Sequence, residues 1–262
     1  MTTIDAVLAR LSEAEQQLDD AEAPLSGWQL DPIYMGNQRL SRGDLDRVST
    51  TRPIEVLHAS GHILNVNTKA LSLSGLLKSG INHPGIALDH EGLPTGELKG
   101  PEVMMSVAGY VGFDRSLTDA DAQGLQGFAK ICVRAGVTTV TDLASRLSDE
   151  TVEMMQIVTS AEDFSARLVP LKLFIGLSPK DLIARVGELA KLSTDRLRLG
   201  KIKIVADGSI QGFPARMRWS GYYNGAPNGL WYITPEQLSE IYHLALEAGV
   251  QVHTHINGDQ AI

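Results

Sequence analysis

Residues 119–142, DADAQGLQGFAKICVRAGVTTVTD, hold the pattern that decides the fold. A helical run over Asp119–Ala135 stops at Gly136 and gives way at once to the β-branched run VTTVTD. Helix, glycine, strand is the order of an αβ repeat. It recurs downstream: a helix near Asp149–Ser160 precedes LVPLKLFIG (168–176), a helix near Pro179–Lys191 precedes KIKIVAD (201–207), and a helix near Pro235–Ala248 with Gly249 precedes VQVHTH (250–255). Strands alternating with helices in this way predict a parallel sheet with right-handed crossovers, either an open doubly wound sheet or a (β/α) barrel. No glycine-rich phosphate loop follows the first strand, which favours the barrel.

Upstream the order is less regular. Ile4, Val7, Leu8, Leu11 and Leu18 have roughly helical spacing and predict a helix within residues 2–23, with Thr3 and Asp5 as candidate caps. A turn-rich segment leads to a short strand at Ile54–His58 and a helix over roughly Val66–Leu77. The stretch INHPGIALDHEGLPTGELKG (81–100) is dense in Gly and Pro and reads as loop or short hairpins. The expected organisation is an irregular segment over 1–118 and a regular αβ part over 119–262.

The chain has 262 residues, 43% hydrophobic and 21% charged, ample for one or two packed domains. Its 23 Lys and Arg against 31 Asp and Glu give a net charge of -8 without a basic cluster, which argues against nucleic acid as a partner. The single cysteine, Cys132, cannot form an internal disulfide and reads as a buried structural thiol rather than a nucleophile. No segment approaches the ~20 apolar residues of a membrane span, and no signal peptide opens the chain, so the expectation is a cytoplasmic protein without membrane contact.

In a parallel sheet functional groups collect at the C-terminal strand ends. Those ends are polar here: Asp142 closes VTTVTD, Lys203 lies inside KIKIVAD with Asp207 at its end, and His253 and His255 lie in VQVHTH. An unpaired ammonium on a buried strand costs several kcal/mol, so Lys203 should be paired with a carboxylate, deprotonated for Schiff-base chemistry, or carboxylated to a carbamate that binds cations. A lysine that snorkels outward is the plain alternative. Lys201 shares the Lys203 face, so alternation does not choose between them. His253 and His255 also share a face, which suits metal ligation or hydrogen-bonded rim histidines. Earlier in the chain, His62 is a candidate substrate contact and Asn67 a helix cap. The aromatics Trp219, Tyr222, Tyr223 and Trp231 form a candidate substrate wall, or simple rim packing.

Four strings, GHILNVNTKAL (61–71), GVTTVTD (136–142), KIKIVADGS (201–209) and HTHINGDQAI (253–262), together resemble the amidohydrolase superfamily in order and spacing. The branch resembled is amidohydrolase family 3, which includes N-substituted formamide deformylases. The resemblance implies a (β/α)8 TIM-type barrel holding one or two divalent metals, zinc being the expected ion, at the C-terminal face. By the family pattern Lys203 falls on the carboxylated bridging lysine and His255 on the fifth-strand ligand, while His253, His62 and Asp207 would lie behind the ligands or face substrate. The implied reaction is attack of metal-activated water on the carbonyl of a small amide or formamide, with an aspartate shuttling the proton to the leaving amine.

The departures from that pattern are specific. No His-x-His pair precedes residue 253, and neither the sixth-strand histidine nor the eighth-strand aspartate, the expected general base, has a counterpart. The expectation is therefore a partial barrel of four to five parallel strands from within a longer enzyme, weakly metal-binding, of little activity, and self-associating as a homo-oligomer through its open edges. The competing readings are a catalytically silent partial barrel that pairs with another chain, and a Schiff-base aldolase-type barrel using Lys203 as a free amine.

Overall fold

The computed structural model describes residues 2–36, 38–112, 121–218 and 220–262. These form two compact units, within the bounds Met1–Ser116, Asp207–Tyr232 and Ile256–Ile262 for the first, and Leu117–Ala206 and Ile233–His255 for the second. A split at 118/119 is thus too simple, because two later segments join the first unit.

In the second unit the repeat predicted from sequence is present. Strands β6 (Thr139–Ser145), β7 (Arg167–Leu173), β8 (Ile202–Val205) and β9 (Val252–His255) form a sheet in sequential order, every pairing parallel. Helices α6 (Asp149–Ser160), α7 (Pro179–Ala190) and α8 (Pro235–Glu247) make the crossovers, and α5 (Ala122–Arg134) precedes β6. The expected start of α5 at Asp119 lies outside the described residues; Asp121 is its cap and accepts from the Gly124 amide. Ser148, Ser178 and Thr234 cap the crossover helices through side-chain oxygens. Gly136 and Gly249, at φ of 68° and 65°, end α5 and α8. After each, the next residue's amide returns to the last turn, Val137 to the Cys132 carbonyl and Val250 to that of Ala245, both at 2.8 Å. One face of the sheet is covered: Leu168 and Val140 pack with Leu125, Ala129 and Cys132 of α5 and Val152, Met155 and Val158 of α6. Cys132 is a buried free thiol, as expected.

The first unit corrects the expectation of an irregular segment. Strands β1 (Leu25–Leu30), β2 (Ile54–His58), β3 (Ile63–Val66), β4 (Ile86–Leu88) and β5 (Pro94–Lys99) build a sheet of order β1-β2-β3-β5-β4. β1 and β2 are parallel and the other pairings antiparallel, including the β4–β5 hairpin. One core places α1 (Ile4–Glu15) against Leu25, Ile54 and Val56, together with Leu45 of α2 (Arg42–Asp46). The other joins Leu64, Val66 and Leu98 with α3 (Thr68–Leu73) and α4 (Pro101–Val111). β2 and β3 are buried at every position, so the alternation that identifies a half-exposed strand is missing. The helix expected over Val66–Leu77 shrinks to α3, and the preceding ILNV is strand. Asn67 does cap α3: its wholly buried Oδ1 accepts from the amides of Ala70 and Ile54, each at 3.0 Å.

Candidate functional site

β8 places alternate residues on opposite faces of its sheet. Ile202 and Ile204, fully buried, take one face, and Lys203 and Val205 the other. The parallel register sets Lys203 beside His253 and Val205 beside His255. Lys203, His253 and His255 therefore share one face. Lys203 is 6% exposed, and its Nζ lies 3.1 Å from His253 Nδ1. Burial pushes its pKa below the usual lysine value. Among the described residues no carboxylate forms an ion pair with it, which removes the first of the three compensations weighed from the sequence. Lys201 differs, because its ammonium is taken up by the Gln251 side-chain oxygen.

Asp207 is fully buried, and its carboxylate accepts from the backbone amides of Arg216 (2.9 Å), Asn257 (2.8 Å) and Gly258 (2.7 Å). It ties the loop after β8 to the segment after β9. Gly258 is obligatory in that tie, since a Cβ there would lie 1.9 Å from the Arg216 carbonyl oxygen. Asp142 accepts from the Ala144 amide at 3.1 Å where β6 shifts register. His62 is half-buried beside Tyr232, ring centroids 5.6 Å apart, and immediately precedes β3 rather than lying in a loop before a helix.

Of the aromatic run, Trp219 lies outside the described residues. Tyr222 donates to the Ala215 carbonyl and meets Phe213 edge-on, and Trp231 lies under the Arg216 guanidinium. These two serve packing; Tyr223 is fully exposed. A cavity of about 350 Å³ between α1 and β1, lined by Leu11, Ala14, Trp28 and Val56, contains none of the candidate residues.

A second polar group, not anticipated from sequence, is buried in the first unit. Glu97 takes ion pairs from Arg39 (2.8 Å) and Lys99 (3.1 Å), and His58 Nε2 meets Asn65 Oδ1 at 2.6 Å. Burial alone would raise the Glu97 pKa, but the two cations hold it below the usual range. His58 falls to about 4, chiefly by burial. Glu55, on the opposite face of β2, rises to about 7 for the same reason. The available signal was polar residues interrupting short apolar runs at 55, 58, 65 and 97.

As a place for a metal, the Lys203 face fits in kind and falls short in number. Two imidazoles and a lysine nitrogen or carbamate are donors suited to zinc-like ions. Among the described residues no group of three or more His, Cys, Asp or Glu is arranged to hold an ion.

The sequence profile of the amidohydrolase family matches residues 1–262. The chain belongs to the amidohydrolase family. It is 27% identical over 274 aligned positions to YtcJ of Bacillus subtilis (strain 168), which bears an amidohydrolase name, covering all of this chain and 49% of that protein. It is 24% identical over 243 positions to the Arabidopsis thaliana protein LONG AFTER FAR-RED 3, covering 90% of this chain and 41% of that protein. In fold it is similar to crystal structures of uncharacterized metal-dependent hydrolases from Pyrococcus horikoshii OT3 (TM-score 0.53, 99% of this chain and 49% of that one) and Pyrococcus furiosus (TM-score 0.51, 100% and 50%), each 17% identical. This amidohydrolase chain thus spans about half the length, or less, of the relatives it matches.

Proposed function

We propose that this chain is the lysine-bearing portion of a metal-dependent amidohydrolase acting on a small amide or N-substituted formamide, and that its parallel sheet is part of a (β/α)8 barrel. The observation that carries the reading is Lys203: buried on a central strand, without a carboxylate partner among the described residues, and on one face with His253 and His255. Lys203 as a carbamate and His255 would contribute to holding a divalent ion, zinc in the first instance. When bound, such an ion supplies Lewis acidity and an activated water. The chain's own part is to fix those two donors on a rigid sheet and to bury the lysine stem. A proton shuttle would come from elsewhere in a longer protein. Asp207 is unsuited to that task, because three amide N–H groups already claim its carboxylate.

The test is zinc content after equilibrium dialysis, paired with a formamide and amide hydrolysis assay. Zinc should bind weakly to this chain and drop about tenfold or more in Lys203→Ala and in His255→Ala, with hydrolysis at background. Retention unaffected by either substitution would overturn the assignment of the donors. The lowered Lys203 pKa also suits Schiff-base chemistry; borohydride trapping of a carbonyl compound on Lys203, without zinc binding, would establish that reading instead.

A further inference from the structure

His253 is the in-register neighbour of Lys203 across the β8–β9 pairing, and its ring nitrogen contacts the lysine nitrogen itself. Its strand is at the sheet edge, and its side chain is exposed while Lys203 is not. The contact at 3.1 Å has hydrogen-bond length. Lys203 Nζ carries hydrogens in every protonation state, so an Nδ1 lone pair on the Nε2–H tautomer accepts from it.

The consequence differs between a free amine and a carbamate. A free amine or ammonium has two or three hydrogens and rotates freely about its last bond. In a carbamate the unprotonated Nζ has given its lone pair to the carbon of carbon dioxide, a nitrogen–carbon bond has formed, and one C=O pair has moved to oxygen. The nitrogen has shed one proton to water and keeps a single N–H in a plane with the new carboxylate. Whatever accepts that N–H fixes the plane. We infer that His253 is a positioning residue for a Lys203 carbamate: its Nδ1 accepts the one remaining N–H, stabilises the adduct and fixes the plane of the carboxylate.

This deepens the proposed function and rests on its reading of Lys203 as carboxylated. His253 then acts behind the ligands and need not touch a metal ion. The geometry gives it something specific to do there: it selects one rotamer of a group that would otherwise have several, and outer partners of this kind tune ligand occupancy and orientation.

The experiment uses the 262-residue chain with zinc and 13C-labelled bicarbonate, reading the carbamate carbon by 13C NMR and the His253 tautomer by 15N NMR. Wild type should show a carbamate signal that Lys203→Ala abolishes, with His253 in the Nε2–H form. His253→Phe, which keeps ring bulk without an acceptor, should lower carbamate occupancy about fivefold, the worth of one net hydrogen bond. His253→Gln, which returns an acceptor oxygen, should restore most of it. Equal occupancy in wild type and His253→Phe, with the signal still dependent on Lys203, would overturn the role of His253 and leave the carbamate reading standing. No signal in wild type, or one surviving Lys203→Ala, would remove the carbamate reading and the inference with it.

Discussion

Glu55 and His58 are three residues apart on β2, one on each face of the sheet, and burial disfavours the charged form of each in the folded chain. Their effects on stability run in opposite directions with pH. The Glu55 pKa rises from 4.5 to about 7, so its contribution is complete below pH 4.5 and is lost as pH climbs through 7. The His58 pKa falls from 6.5 to about 4, so its contribution is complete above 6.5 and is lost as pH drops through 4. Each is worth about 3 kcal/mol when complete. Between these limits the two slopes oppose one another, and stability from urea titrations should be nearly flat from pH 5 to 6.5. Glu55→Gln removes the opposing slope: the variant should lose stability steadily on acidification over that range, and a flat profile would show that His58 is not held neutral. Lys203 poses a related trade. Lys203→Met fills the same space without a charge to desolvate, so it should raise the urea midpoint while zinc retention disappears. A fall in both would mean that the lysine is structural.

At the scale of elements, α5 and α8 end in the same device, a left-handed glycine followed by a returning amide, and nothing stands within 4 Å of where a Cβ would project at Gly136 or Gly249. Gly136→Ala and Gly249→Ala should therefore each cost about 1 kcal/mol in urea unfolding from backbone conformation alone, without a steric component. These glycines are also why the second unit was legible in the sequence: each marks where helical spacing stops and a β-branched or alternating run begins. That Lys203, His253 and His255 lie on one face was legible for a related reason, since alternate residues of a strand share a side and parallel neighbours keep it. The first unit offered no such signal. β2 and β3 are short and buried on both faces, and Glu55, His58 and Asn65 break the apolar runs that would have announced them. Asp207 was visible as a strand-end carboxylate but not in its role, because the amides that saturate it lie 9, 50 and 51 residues away.

For the whole molecule, β6 and β9 stand at the two edges of the parallel sheet among the described residues, and the side chains of Thr139, Thr141 and His253 are exposed. Unpaired parallel edges are templates for further strands. Light scattering on the purified chain should give a mass above the 28.3 kDa of one copy, and Thr141→Lys, which puts a charge on the β6 edge, should shift it towards a single copy. A monomer at all concentrations would mean that these edges are not sticky.

Asp207 has a further consequence, in the order of synthesis. The first unit draws on three stretches of chain, the last beginning at Ile256, and Asp207 waits for the amides of Asn257 and Gly258. On a ribosome that adds about 5–20 residues per second, α1 and the five-stranded sheet emerge before the second unit, yet the loop anchored by Asp207 stays untied until Asn257 and Gly258 have left the exit tunnel. The second unit can close first, although its chain is made later. A variant truncated after His255 should therefore keep Lys203 on a formed sheet while limited proteolysis cuts the loop between Gly208 and Tyr232, and cutting no faster than in the 262-residue chain would mean that the loop holds its place without Asn257 and Gly258.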